Sequence, residues 1–275
     1  MISGLDHIVL ITPDLETGIA AYTSVLGRAP SWHSKSKGAA SAIFTLDNMA
    51  VELLAPASDG PDGVAIRSAL AADGEGLASL CFAVTDIETV HRRFERRALQ
   101  PGAITEGSSE DGVRRISWKR LRTARDATHG IRQFFIERAT PLPRSDATAP
   151  APVTALDHIV VSTSHPNRAA ALYGARLGLD MALDRSNPAW NMRLMFFRCG
   201  DLVVEIAHRL SEPAGDEPDR FYGLTWRTVD LDGTRTRLTD AGLDVSVIRP
   251  GRKPGSRVFS LKNGTLNVPT LFIGA

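Results

Sequence analysis

The sequence predicts an α+β protein made of two similar halves, each with a mixed sheet and with helices packed on its outer face. The pentapeptide at 5–9 recurs unchanged at 156–160. Apolar segments of strand length and of helix length alternate along both halves. Several identities at one spacing indicate duplication of a structural unit. The further identities at this spacing are Tyr22, Leu26 and Gly27 with Tyr173, Leu177 and Gly178.

The composition is that of a globular protein. A length of 275 residues suits two domains of ordinary size. The net charge of +1 gives no indication of a nucleic acid or an anionic membrane as partner. No apolar segment approaches the roughly 18 residues that span a bilayer, and no signal sequence is evident, so a cytoplasmic location is expected. Cys81 and Cys199 lie in apolar strand segments and are expected to be reduced core residues.

The first module is predicted as strand, helix and then strands. Residues 5–11 are apolar on both faces, which favours a strand that is covered on both sides. A helix begins near Pro13 and ends at Gly27, a residue type that commonly terminates helices. Strands at 41–46 and 50–54 follow.

The same order recurs in the second module. A strand at 77–84 precedes a helix that Asp86 caps. Strands at 114–119 and 131–137 complete the module, and the basic, polar residues 120–129 between them are predicted to form a loop.

A linker separates the two halves. Residues 139–155 contain four prolines and many small residues, a composition typical of semi-rigid linkers. We therefore predict domains at 1–140 and 155–275, joined by a linker at 141–154.

The second half repeats the plan with two more modules. Because one module would leave a sheet face uncovered, the modules are expected to pair. The predicted strands are 156–162, 192–199, 202–207, 224–229, 258–262 and 270–273, and the helices begin at Pro166 and Asp230.

Histidine on a first strand and glutamate on a last strand form a recurrent arrangement. His7 lies on the first strand, and Glu52 lies in an apolar strand of the same module. A carboxylate there is costly to bury unless it is paired or binds a metal. His158 and Glu205 repeat the arrangement in the second half, and Glu137 ends the last strand of the first half.

These features resemble the vicinal oxygen chelate superfamily, which includes glyoxalase I, extradiol dioxygenases, fosfomycin-resistance transferases and bleomycin-binding proteins. The resemblance rests on the module order, the Asp-His-Ile-Val opening and the strand-end glutamates. It covers essentially the whole chain as four βαβββ modules, and residues 1–140 look most like the glyoxalase-like domain. It implies two glyoxalase-like domains with cup-shaped sheets and a small-molecule enzyme, although fold alone does not specify the reaction.

The resemblance also implies four ligand positions in each cup. In the first half these are His7, Glu52, Ser79 and Glu137. In the second half they are His158, Glu205, Gly223 and Gly274. Neither set contains the two histidines and one carboxylate of an extradiol dioxygenase, so that activity is disfavoured.

The resemblance makes His7, Glu52 and Glu137 the predicted ligands of a divalent metal ion, which could be Mn, Mg, Zn or Fe. The ion would polarise a carbonyl or stabilise an enediolate in lyase or isomerase chemistry on an oxygenated substrate.

The second cup is a further candidate site. His158 and Glu205 would act there as an oriented general base, with small residues at the lost ligand positions leaving volume inside the cup. Arg227 would face Glu205 or bind a substrate carboxylate.

Two alternatives stay open. Each His–Glu pair could be a hydrogen-bonded pair that fixes the cup without metal, and Glu137 could be solvated or paired with Arg138 or Arg132. The whole chain could instead be a metal-free protein that binds a drug or aromatic ligand, an alternative that the incomplete ligand sets of both halves favour. Trp32 and Trp190 lie in predicted loops that could border a cup mouth, but their spacing is not diagnostic. A small-molecule substrate, no nucleotide cofactor, and a monomer or homodimer are expected.

Overall fold

The computed structural model describes residues 1–275. The first half contains β1 (Ile2–Ile11), α1 (Leu15–Leu26), β2 (Trp32–Ser36), β3 (Ala39–Thr45), β4 (Ala50–Pro56), α2 (Pro61–Asp73), β5 (Gly76–Val84), α3 (Ile87–Arg96), β6 (Thr105–Glu110), β7 (Arg115–Arg122) and β8 (Gln133–Arg138). The second half contains β9 (Val153–Ser162), α4 (Pro166–Ala170), β10 (Asp180–Asn187), β11 (Met192–Cys199), β12 (Leu202–Arg209), β13 (Arg220–Thr228), α5 (Leu231–Asp240), β14 (Arg249–Pro250), β15 (Arg257–Leu261) and β16 (Thr270–Gly274).

Each half forms one eight-stranded mixed sheet. The strand orders are β2-β3-β4-β1-β5-β8-β7-β6 and β10-β11-β12-β9-β13-β16-β15-β14. In each sheet the first strand is parallel to the last strand of its own module and antiparallel to the first strand of the next module. The two modules of a half are therefore joined through their first strands, which confirms the predicted duplicated fold.

Alternation along the strands separates a helix-covered face from a concave face. Ile8 and Leu10 of β1 are fully buried in the core with residues of the helices. The side chains of His7 and Val9, which alternate with them along the strand, therefore point to the concave face. One hydrophobic core contains residues of both halves. Asn48 also joins the halves, since its side-chain amide donates to Leu156 O and accepts from Leu156 N, at 2.8 and 3.0 Å.

The helix ends follow the local sequence. Asp86 caps α3 as predicted, since its carboxylate accepts a hydrogen bond from Thr89 N. Gly27 terminates α1 in the left-handed conformation, with φ of 65°. The helix that Pro166 opens continues as a π-helix at Ala171–Arg176. None of the helices is both long and apolar enough to cross a membrane.

The structure adds elements that apolar periodicity does not indicate. Strands β2, β6 and β10 are mostly exposed, and all three lie at sheet edges. Edge strands carry polar and charged residues, which removes the alternation that marks a half-buried strand. Part of the segment 120–129, which was predicted as a loop, forms regular secondary structure. Strand β7 extends to Arg122, and a 3-10 turn forms at Asp126–Thr128.

Candidate functional site

His7 and Glu52 come together on the concave face of the first sheet. The parallel register of β1 and β4 places Val9 opposite Glu52 and His7 opposite Ala50. His7 Nε2 lies 3.4 Å from Glu52 Oε2. The side chains are 12% and 22% exposed, so the pair is accessible from within the cup.

A buried ion pair holds the other side of the His7 ring. His7 Nδ1 lies 2.5 Å from Asp6 Oδ1, and Arg138 donates two hydrogen bonds of 2.7 Å to Asp6. Burial raises the pKa of Asp6, but His7 and Arg138 outweigh it and hold that pKa well below its ordinary range. Burial lowers the pKa of His7, but Cys81 and Asp6 outweigh it and raise that pKa well above its usual value.

Glu137 does not join His7. Its Oε2 accepts a hydrogen bond of 2.8 Å from Ile87 N, at the N-terminus of α3. The register of β5 and β8 explains this placement, because Phe134 pairs with Cys81 and Glu137 follows three residues later on the opposite, helix-covered face. A carboxylate stabilises a helix N-terminus there by accepting a free N–H group.

The remaining positions of the first cup offer few donors. Ser79 faces Val9 across β1 and β5, and its side chain is buried on the concave face. Phe134, rather than Glu137, holds the place in the second module that Glu52 holds in the first. The first cup therefore brings one imidazole, one carboxylate and one hydroxyl to its floor.

Cys81 forms a second grouping with Asp6 and His7. One ligand atom of each of these residues lies within 4.8 Å of the others. Both oxygens of Asp6 already accept hydrogen bonds from Arg138, and Cys81 is a free, buried cysteine. This grouping supports the ring of His7 and offers no free carboxylate oxygen to a metal ion.

The second cup repeats the His–Glu arrangement. His158 Nε2 lies 3.4 Å from Glu205 Oε2 and 2.9 Å from Thr225 Oγ1, while His158 Nδ1 lies 2.8 Å from Asp157 Oδ1. Burial raises the pKa of Glu205, and the charges of His158 and Arg252 offset only part of this effect. The Glu205 carboxyl therefore retains a proton to higher pH than an exposed glutamate.

Arg227 lies behind this arrangement. It approaches Asp157 with an Nε–Oδ2 distance of 3.5 Å and donates to Asp201 Oδ2 at 2.9 Å. Neither contact reaches Glu205. Arg227 therefore supports Asp157 much as Arg138 supports Asp6. Because the two arginines come from non-equivalent strands, β13 and β8, the duplication did not predict this relationship.

The space next to each glycine position of the second cup is already filled by protein atoms. A Cβ atom at Gly223 would lie 2.6 Å from Pro269 O, so backbone already fills that space. This corrects the expectation that small residues there leave volume. A Cβ atom at Gly274 would meet the side chain of Leu231 on the helix side. Leu271, which pairs with Thr225, holds the place that corresponds to Glu205.

The first cup is closed across its mouth. Trp32 on β2 donates from Nε1 to Ser109 Oγ on β6, at 2.9 Å, and is only 1% exposed. The guanidinium of Arg114 lies 5.3 Å from the Trp32 ring centroid and donates to Ser31 O at 3.1 Å. Strands β2 and β6 are the two edges of the sheet, so these contacts join edge to edge.

The second cup has a looser closure. Trp190 follows β10, and Arg252 follows β14 at the opposite edge, with its guanidinium 4.3 Å from the Trp190 ring centroid. Arg185 lies 5.6 Å from the same centroid. Trp190 is 38% exposed and Leu183 47%. No hydrogen bond or ion pair to the protein reinforces either arginine, so the mouth of the second cup is held less tightly than that of the first.

Two protein-family models match the chain, and together they cover residues 5–259. The model described as "Glyoxalase-like domain" matches residues 5–178. The model described as "Glyoxalase/Bleomycin resistance protein/Dioxygenase superfamily" matches residues 157–259. No curated protein is significantly similar to this chain in sequence.

Solved structures share the fold over the whole chain. A halotolerant catechol dioxygenase has a TM-score of 0.67 and 14% identity, covering 100% of this chain and 87% of that one. A variant of 4-hydroxymandelate synthase from Streptomyces coelicolor has a TM-score of 0.71 and 14% identity, covering 99% and 92%. The Mn(II)-bound glyoxalase from Novosphingobium aromaticivorans has a TM-score of 0.68 and 12% identity, covering 99% and 82%. At these identities the likeness establishes the fold.

Proposed function

The chain belongs to the glyoxalase-like domain family, and on that premise we propose that it is a small-molecule enzyme with lyase or isomerase chemistry on an oxygenated substrate. The reaction centre is the second cup. One observation carries this proposal: His158 Nε2 and Glu205 Oε2 converge to 3.4 Å at the floor of the cup whose mouth is less tightly held. A substrate that enters past Trp190 would meet both groups.

The residues of the second cup suit proton transfer. Asp157 holds His158 Nδ1, which directs Nε2 toward Glu205 and Thr225. The raised pKa of Glu205 lets this carboxyl hold a proton that it can return to the substrate. Glu205 and His158 would together move a proton to and from a carbon next to a carbonyl group.

A divalent ion would bind the same donors only when both are deprotonated, so metal binding is an alternative to the protonated pair. His158 and Glu205 would hold the ion, and the contact of His158 with Asp157 matches the carboxylate support that metal-binding histidines generally have. Two protein donors leave coordination positions for substrate oxygens and favour an oxygen-preferring ion such as Mn²⁺ or Mg²⁺. When bound, the ion supplies polarisation of a substrate oxygen.

The first cup is a second candidate for the metal. His7 and Glu52 present the same donor pair, with Asp6 supporting the imidazole. Its closure by Trp32 limits substrate entry. We therefore propose His7 and Glu52 as a metal-binding pair that is secondary to the reaction centre.

Metal content tests the proposal. Protein purified without chelator and supplied with Mn²⁺ is expected by mass spectrometry to hold one equivalent, in the second cup, at low Mn²⁺ and to take up a second, in the first cup, only at higher Mn²⁺. His158→Ala and Glu205→Ala should remove the first equivalent, whereas the matched control Glu137→Ala should retain it, because Glu137 lies at α3. Loss of the bound metal in His7→Ala, together with its retention in His158→Ala, would instead assign the metal site to the first cup. Absence of bound metal at millimolar supply would contradict metal assistance.

A metal-free binding protein for an aromatic or drug-like ligand is the second candidate function. The exposed Trp190 and Leu183, together with Leu271 at a ligand position, favour it. Saturable quenching of tryptophan fluorescence by an aromatic ligand would support binding. If quenching persists in His158→Ala and after chelation, and the ligand is recovered unchanged, the binding function replaces the enzymatic one.

A further inference from the structure

A cleft rich in arginine lies outside both cups. Its volume is about 390 Å³, and it is lined by one face of α3 and the residue that follows it. We call it the arginine cleft. Its lining residues are Thr89, Arg92, Arg93, Arg96 and Arg97.

The second half of the chain supports the cleft. Arg97 Nη1 donates to the carbonyl oxygens of Ala175 and Arg176, at 2.5 and 3.1 Å. A Cβ atom added at Gly178 would lie 2.5 Å from Arg93 Nη2, so the Arg93 guanidinium rests against the Gly178 backbone. The positions of these two guanidinium groups therefore depend on the junction between the halves.

The arginine side chains of the cleft form no ion pair with an acidic residue. The side chains of Arg93 and Arg96 make no hydrogen bond, and Arg92 donates only to Thr89 Oγ1, although its charge contributes to the lowered pKa of Asp86. The acidic residues of α3 are engaged elsewhere: Glu88 binds Lys119, and Glu95 lies beside His91.

Like charges held this close repel one another. Burial and the charge of Arg93 lower the pKa of Arg97, which agrees with uncompensated positive charge. Basic residues in the last turn of a helix interact favourably with its dipole. This accounts for the presence of Arg93 or of Arg96 taken alone. It does not explain why four arginine side chains line one open cleft, and a bound anion would offset the repulsion between their charges.

We propose that the arginine cleft binds a small anion that carries two or more phosphate groups. The planar guanidinium fork matches phosphate oxygens, and Thr89 adds a hydroxyl donor. The cleft volume is within the range of small-molecule sites. This proposal does not depend on the proposed reaction, since no residue of either cup lines the cleft.

Calorimetric titration of the full-length protein with inorganic pyrophosphate tests the proposal. One saturable site is expected. Arg93→Gln and Arg96→Gln should each weaken binding by about tenfold or more, because each removes charge-assisted hydrogen bonds. Arg198→Gln is the matched control, since Arg198 is also exposed and unpaired but lies on β11; this variant should bind like the wild type.

Three further measurements complete the test. Both cleft variants should melt close to the wild-type temperature, because relief of repulsion offsets the lost interaction with the helix dipole, and this separates lost binding from unfolding. His158→Ala should still bind pyrophosphate, so that failure of the proposed reaction and failure of the cleft are distinguishable. Citrate should bind at least tenfold more weakly than pyrophosphate. No saturable binding of pyrophosphate, unchanged binding in Arg93→Gln, or equal binding of citrate would each overturn the proposal.

Discussion

Arg138 donates hydrogen bonds of 2.7 Å to both carboxylate oxygens of Asp6, and Asp6 holds the ring of His7. The second half reaches a similar arrangement with Arg227 and Asp157, but with a longer contact of 3.5 Å and greater exposure. The two histidines are thus supported by Arg–Asp ion pairs of different strength. Replacing the two arginines should therefore lower the free energy of unfolding by different amounts.

Replacement of Arg138 by alanine is expected to destabilise the protein by about 1.5–3 kcal/mol, because it removes two charge-assisted hydrogen bonds from the buried carboxylate of Asp6 and leaves His7 as its remaining charged partner. Arg227→Ala is the matched comparison and should cost about 1 kcal/mol or less, since its ion pairs are partly exposed. Urea denaturation measures both free energies of unfolding. Equal losses would contradict the different strengths inferred for the two ion pairs.

The stability contributed by His7 is expected to fall as pH rises. Its folded-state pKa is raised, so the contribution is complete below the unfolded value of about 6.5 and is lost as pH rises through the folded pKa. The stability contributed by Asp6 depends on pH in the opposite direction. It is present above about pH 3.9 and is lost as pH falls through the lowered folded pKa of Asp6.

Denaturation of the metal-free protein at several pH values tests this expectation. The difference in unfolding free energy between the wild type and His7→Gln should be largest near about pH 5.5, between these two limits, and should shrink toward alkaline pH. His33 is exposed on β2, and His33→Gln serves as the control with a difference that stays constant. A His7→Gln difference that grows with pH would refute the assignment.

Glu137 is expected to matter for stability and not for metal binding. Glu137→Ala removes the acceptor for Ile87 N at the start of α3 and should cost about 1 kcal/mol, as the loss of a helix cap does. Glu52→Ala should show the reverse pattern, with changed metal content in the first cup. Thermal unfolding and metal analysis of the two variants measure this contrast, and a metal loss in Glu137→Ala would count against the placement.

Opening the mouth of the second cup is expected to cost little free energy. Arg252→Ala removes a cation–π contact at a partly exposed ring, worth about 0.5–1 kcal/mol, and should increase acrylamide quenching of Trp190. Arg114→Ala is the counterpart in the first cup and should leave quenching of Trp32 low, because the Trp32–Ser109 hydrogen bond still buries the ring. Single-tryptophan variants resolve the two signals. Equal quenching would show that the cups do not differ in closure.

The sequence was sufficient to predict the fold and one part of each cup. The duplicated segment at 5–9 and 156–160 marks the repeated unit, and the family resemblance implied the sets that contain His7 with Glu52 and His158 with Glu205. Alternation along each strand indicates which residues share a face, because side chains alternate with a fixed period along a strand.

Only the tertiary structure decided the other partners. Glu137 matches the sequence pattern of a strand-end glutamate, but the pairing of Phe134 with Cys81 turns it to the helix-covered face. Arg138 reaches Asp6 from 132 residues away. Such contacts depend on strand register and on the curvature of the whole sheet. A shift of one residue in register exchanges the two faces of a strand, so residue type alone cannot specify them.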